Sequence, residues 1–240
     1  MTLHMLQLQP DVAASLRWAG TQGLLGSRSD DLGYVWHALL AAVFGPLAPK
    51  PFAVVEHPSR PPALLGYAAC GAAALQEQAM LFALPDAVTA LGVTSLAGKA
   101  MPDRFHAGQR LGFSVRVRPV VRVDGAGGRT TIRERDAFLH AIADVPSTTV
   151  VDRGVVYRDW LVRQLATGGA AAETVSLDVI RRTRVVRRGR DRSLDAPEGP
   201  DVAASGILRV AEPELFAALL ARGVGRHRAF GFGMLLLRPS

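Results

Sequence analysis

The sequence predicts an α+β fold built from two ferredoxin-like βαββαβ modules in tandem. Two observations lead there. Strand-type and helix-type patterns run through the 240 residues in the same order twice. Nearly half of the residues are apolar, enough for a buried core, and the length suits one large domain or two small ones.

In the first pass, residues 3–9 read as a short strand. A Gly- and Ser-rich loop over 20–29 leads to a helix over 32–44. Asp30 or Asp31 is its candidate cap, because a short acidic side chain satisfies free N–H groups and complements the helix dipole. Residues 52–56 and 64–69 read as strands around a Pro-rich turn. A helical stretch over 72–91 is broken at Leu84-Pro85-Asp86, and residues 93–97 supply the last strand.

The second pass begins near Gly108. Residues 111–123 set Phe113, Val115 and Val117 against Ser114, Arg116 and Arg118, a strand with one basic face. A helix over 155–166 puts Val156, Trp160, Leu161 and Leu165 on one side. Residues 174–186 and 202–210 read as strands. The helix over 212–222 has Pro213 near its start and Gly223 just past its end, and a strand over 234–238 closes the module. The expected modules are 1–104 and 105–240.

Composition narrows the function. No apolar run approaches the roughly 18–20 residues of a membrane span, and the N-terminus lacks a signal-peptide pattern. A cytoplasmic protein with no membrane partner is expected. The single cysteine, Cys70, excludes an internal disulfide and a multi-thiolate zinc site. It lies among small apolar residues and reads as a buried hydrophobe. The six histidines show no HxH or HxxxH pairing, so no metal or other cofactor is expected. The net charge is +7, carried by arginine; Lys50 and Lys99 are the only lysines. Arginine binds phosphate bidentately and stacks on bases, which suits nucleic acid, although a GC-rich genome also favours it.

Three segments carry candidate chemistry. On the helix from Leu32, the residues Leu32, Val35, Trp36, Leu39, Leu40 and Val43 form the apolar stripe. Tyr34 and His37 project together from the other side, roughly 60° apart at about 100° per residue, among Gly33, Ala38 and Ala41. An imidazole moves protons in either direction at neutral pH, and RNA brings its own nucleophile, the 2′-hydroxyl. The phenol of Tyr34 suits orienting that nucleophile or bonding the phosphate. The plainer reading is an ordinary helix surface.

The second segment is the glycine-rich run 223–233, with Gly223, Gly225, Arg226, His227 and Arg228 as candidate RNA-backbone ligands. It is neither a Walker loop nor a dinucleotide fingerprint, because it joins a helix to a strand and no Gly-Lys-Ser/Thr follows. Phe230 and Phe232 within it are expected to pack inward. The third segment crowds Arg181, Arg182, Arg184, Arg187, Arg188, Arg190 and Arg192 into twelve positions, with Asp191 and Asp195 the acidic neighbours. A polyanion would relieve their mutual repulsion. Glu134, Asp136 and Asp152 read as loop residues paired with Arg133, Arg135 and Arg153. No Gly-x-Ser-x-Gly elbow is present.

The chain also resembles the CasE-type endoribonucleases of type I-E CRISPR systems, in the RAMP superfamily. Four segments carry the resemblance: Asp31-Leu-Gly-Tyr-Val-Trp-His, residues 107–119, residues 204–216, and the glycine-rich run 223–236. The resemblance implies tandem ferredoxin-like (RRM-like) modules and metal-independent, sequence-specific cleavage of the CRISPR repeat RNA hairpin in precursor transcripts. It implies 2′-OH attack, leaving a 2′,3′-cyclic phosphate and a 5′-hydroxyl. His37 takes the place of the family's catalytic histidine and Tyr34 that of its tyrosine. The implied partners are the repeat hairpin, as substrate and retained product, and the other subunits of a type I surveillance complex. A non-cleaving RAMP-like RNA-binding subunit is the alternative. Residues 129–153 match the pattern poorly.

Overall fold

The computed structural model describes residues 2–25, 31–57, 59–123, 133–146, 148–188, 194–195 and 197–240. It has a mixed α/β architecture organised around two four-stranded antiparallel sheets.

The first half runs β1 (His4–Leu8), α1 (Val12–Thr21), α2 (Gly33–Phe44), β2 (Phe52–His57), β3 (Arg60–Ala68), α3 (Ala72–Phe82), α4 (Pro85–Leu91) and β4 (Ala97–Ala100). Its sheet has the order β2-β3-β1-β4. Pro85 splits α3 from α4, as the sequence predicts. Two expectations are corrected. The start of the predicted loop is helical: α1 is capped by Asp11, whose Oδ1 accepts from Ala14 N at 2.9 Å. The last strand lies further along, because residues Val93–Ser95 form a 3₁₀ turn that buries Val93.

The second half runs β5 (Arg110–Val117), β6 (Val120–Val123), β7 (Arg133–Asp136), α5 (Ala137–Ala141), α6 (Arg153–Thr167), β8 (Ala170–Arg184), β9 (Arg187–Arg188), β10 (Leu194–Asp195), β11 (Glu198–Val210), α7 (Pro213–Arg222) and β12 (Leu236–Pro239). Its main sheet has the order β12-β5-β11-β8. The strand expected over 111–123 is two. Pro119, which has no N–H to donate, separates them, and β6 pairs with β7 outside the main sheet.

Alternation along β1, β2 and β3 covers both faces of the first sheet. Leu6, Leu8, Phe52 and Leu64 are buried against α1, α2 and α4 in one core. Met5, Ala53, Leu65 and Tyr67 point the other way, into a second core with Phe113, Trp160, Leu161 and Phe216. Buried Tyr67 donates its hydroxyl to the Leu235 carbonyl at 2.9 Å. This packing brings the N-terminal end of α2 against the segment after α7. Cys70 is half-buried at the edge of the first core. Among the described residues no helix is long and apolar enough to cross a membrane.

Candidate active site and basic cleft

Helix α2 follows its apolar stripe: Val35, Trp36, Leu39, Leu40 and Val43 are buried, and Leu32 at its start is half-buried. Tyr34 and His37 are half-buried on the other side, their ring centroids 6.3 Å apart. Asp31 holds the start of the helix, accepting from Gly33 N at 2.6 Å through Oδ1. Asp30 lies outside the described residues.

The glycine-rich run reaches this face. Gly223, Gly225, Gly231 and Gly233 all have positive φ, which lets the chain fold back on itself between α7 and β12. It delivers the Phe230 ring to 5.4 Å from His37, edge to face at 77°, and to 6.1 Å from Tyr34. A Cβ on Gly33 would stand 2.3 Å from the Phe230 carbonyl oxygen, so only glycine permits this approach. Phe232 is fully buried, as expected; Phe230 instead stays half-buried over the histidine.

The polar members of the run are tied to other segments of the chain. Arg226 Nε donates to Glu134 Oε1, and His227 Nε2 lies 2.7 Å from Glu134 Oε2. His227 is itself in the left-handed conformation, φ 60°. Arg228 donates to the Arg222 carbonyl at 2.7 Å. Glu134 is therefore not a loop partner of its neighbours: it lies on β7 and clamps the glycine-rich run. Hydrogen bonding and the charges of His227 and Arg226 hold its carboxyl at about 2. Asp136 ends β7 and accepts from Tyr157, and Asp152 caps α6 through Val155 N.

A cleft of about 830 Å³ opens beside this cluster, lined by Arg60, Arg116, Arg181 and Arg182 and by Gly33 and Phe230. Tyr34 and His37 do not line it; Phe230, whose ring packs against both, does. The arginine run is partly neutralised from a distance. Arg181 pairs with Asp201 at 2.8 Å, Arg182 with Asp136 at 3.2 Å and Glu198 at 2.5 Å, and Arg184 with Glu198 at 3.6 Å. These carboxylates come from β7 and β11; Asp191 lies outside the described residues. Arg187 and Arg188 form β9; Arg190 and Arg192 lie outside the described residues.

Burial, and then the charge of Lys50, hold the His37 imidazole below its ordinary value. At neutral pH it is thus a proton acceptor. The phenol beside it is a donor, and the cleft walls carry four guanidinium groups. The arrangement can take a proton from a hydroxyl while phosphates rest on arginine. Among the described residues no group of three or more His, Cys, Asp or Glu is placed to hold a metal ion.

The family model for CRISPR associated protein matches residues 1–239. The chain belongs to this CRISPR-associated family. At the sequence level no curated protein matches. Among solved structures it is similar to the CRISPR endoribonuclease Cse3 bound to a 19-nucleotide RNA, with 19% identity, 100% of both chains covered and a TM-score of 0.66. It is similar to Thermus thermophilus Cse3 bound to an RNA representing a pre-cleavage complex, with 18% identity, 100% of both chains and a TM-score of 0.63. A chain of a CRISPR RNA-guided surveillance complex shares 15% identity over 99% of this chain and 100% of that one, with a TM-score of 0.57. The chain has the fold of these proteins.

Sequence reasoning on this CRISPR-associated chain missed the functional placing of Glu134, Asp201, Arg116 and Lys50. Glu134 and Asp201 give no local signal, because their partners are distant in the chain. The alternation of 113–118 did single out Arg116 and Arg118, as one basic face of a strand. Arg118 is buried and bonds the carbonyls of Thr183 and Pro197, while Arg116 is bound to Asp201 and Asp31.

Proposed function

We propose that this chain is a metal-independent endoribonuclease that cuts CRISPR repeat RNA in precursor transcripts, with His37 and Tyr34 at the reacting phosphate. One observation carries the reading: Tyr34 and His37 pack together against Phe230, which itself lines a cleft walled by arginines. Family membership and the fold shared with Cse3 support it.

In the reaction, neutral His37 takes the proton of the 2′-hydroxyl. The 2′-oxygen attacks phosphorus, the bond to the 5′-oxygen breaks, and the proton that His37 took passes to that leaving oxygen, returning His37 to its neutral form. The products are a 2′,3′-cyclic phosphate and a 5′-hydroxyl. Such proton transfer contributes roughly 10²–10⁴-fold. Tyr34 donates a hydrogen bond to the phosphate or orients the 2′-hydroxyl. Arg181, Arg182 and Arg184, continuing toward Arg187, Arg188, Arg190 and Arg192, hold the RNA backbone, with the glycine-rich run Gly223, Gly225, Arg226, His227 and Arg228 forming the end of the binding surface.

The architecture under this reading is two ferredoxin-like modules, 1–104 and 105–240. Its support is that both sheets repeat one order, last-first-third-second strand of each βαββαβ unit. The partners are the repeat hairpin, kept after cleavage, and the other subunits of a type I surveillance complex, a reading supported by the likeness to a chain of such a complex.

The deciding experiment incubates the protein with the host's own repeat hairpin in EDTA, beside a hairpin carrying a 2′-deoxy nucleotide at the cut site. Cleavage of the all-ribose RNA alone, ending in a cyclic phosphate, is expected. Tight hairpin binding without cleavage would instead make the chain a non-cleaving RNA-binding subunit.

A further inference from the structure

Arg116 joins three segments that are far apart in the chain. Its Nε and Nη2 each donate to a carboxylate oxygen of Asp201 at 2.8 Å, and Nη2 also donates to Asp31 Oδ2 at 2.7 Å. Both carboxylates are 85 residues away in sequence, one on each side. Asp31 in turn holds Gly33 N, the first residue of the helix that bears Tyr34 and His37. The guanidinium lies over the Phe232 ring, 4.3 Å from its centroid, and the Arg116 carbonyl accepts from Gly233 N at 2.6 Å. One side chain and its own peptide thus grip the start of α2 and the glycine-rich run that supplies Phe230.

The same residue reaches the arginine strand. Asp201 is 2% exposed and shares Oδ2 between Arg116 and Arg181. The buried Asp201 carboxylate is thus paired with two guanidinium groups, which offsets the cost of taking its charge out of water. Arg181 keeps 58% of its side chain exposed toward the cleft. A bidentate planar fork that also stacks on an aromatic face is a task lysine cannot copy.

We infer that Arg116 is a positioning residue for the cleavage reaction: it sets the Tyr34–His37 helix against the glycine-rich run and ties that setting to the arginine strand through Asp201. The inference rests on the ribonuclease reading. Arg116 acts through Asp31 and Phe232, not on the reacting atoms.

The test compares Arg116→Lys, Asp31→Asn and the double variant in single-turnover cleavage of the repeat hairpin, hairpin affinity, and NMR titration of the His37 ring. Each single variant should lose roughly 10–100-fold in rate, as misplaced catalytic groups do, with affinity kept within about threefold. The double variant should lose no more than the worse single one, because both break one linkage. In each, the His37 titration should move toward the ordinary histidine value as Phe230 uncovers the ring. Wild-type rate and titration in Arg116→Lys, rate losses that multiply, or affinity falling in step with rate would each overturn the inference. Should Arg116→Lys not fold, Asp31→Asn, which keeps the Arg116–Asp201 pair, carries the rate and titration tests. A wild-type protein that cleaves no hairpin sinks the ribonuclease reading, and the His37 titration still decides the positioning role.

Discussion

The rings of Phe230 and His37 meet in a T shape, with centroids 5.4 Å apart and planes at 77°, although the two residues come from opposite ends of the chain. Phe230 also packs against Tyr34, at 6.1 Å between ring centroids, so one ring touches both candidate catalytic side chains. Five expectations follow from the structure around it.

Replacing His37 by alanine removes the proposed proton acceptor and leaves the arginine walls in place. Single-turnover cleavage should fall by roughly 10²-fold or more, with RNA affinity largely kept. Equal cleavage by His37→Ala would take His37 out of the mechanism.

Gly33→Ala puts a methyl group 2.3 Å from the Phe230 carbonyl oxygen, a backbone atom that cannot swing aside. The glycine-rich run must shift, at a cost of about 1–3 kcal/mol. Denaturant unfolding should register that loss, and cleavage should slow with it. A variant of wild-type stability and rate would show that the approach of Phe230 to α2 is dispensable.

The pH dependence has a defined sign. A base works unprotonated, and burial with Lys50 keeps His37 below its ordinary 6.5. The rate should therefore hold as pH falls to about the ordinary histidine value and decline only below it. Lys50→Ala removes the smaller cause, so its acid limb should begin at higher pH; superimposable profiles would separate Lys50 from His37. For stability, the unfolded chain takes up the proton first as pH drops. The contribution of His37 is present above its unfolded value and lost as pH falls through its folded one.

Arg181 and Arg182 divide their groups between internal carboxylates and the cleft. Changing both to glutamine should weaken hairpin binding and flatten its salt dependence, by roughly one unit of slope per lost phosphate contact. Affinity titrations at several salt concentrations give the answer. An unchanged slope would mean that both serve only Asp201, Asp136 and Glu198.

Glu134 clamps the glycine-rich run with a carboxyl held at about 2. Its folded value lies below its unfolded one, so its stabilisation is complete above the ordinary carboxylate range and fades as pH falls toward 2. The melting-temperature gap between wild type and Glu134→Gln should accordingly shrink from pH 6 to pH 3. A constant gap would assign the effect to shape rather than charge.

What the sequence by itself determined is what neighbours along the chain decide. The stripe from Val35 to Val43 placed Tyr34 and His37 side by side, since helical spacing brings positions three apart together. Pro85 split a helix and Gly223 ended another for equally local reasons. Where local signals were weak the reading slipped: α1 buries only Ser15, Trp18 and Ala19, a stripe too narrow to stand out from a loop rich in small residues. The continuous alternation across 111–123 concealed the break that Pro119 makes once β6 finds β7 instead of the main sheet.

Only the tertiary structure decided the partnerships. It chose Phe230 rather than Phe232 to face the histidine, took carboxylates for the arginine run from β7 and β11, and made Arg116, read from the sequence only as part of a basic strand face, the link between α2 and the glycine-rich run. Periodicity reports which side of an element is apolar. Which charge meets which across 85 residues depends on how two sheets pack, and that is settled by burying Tyr67, Met101 and their neighbours between them.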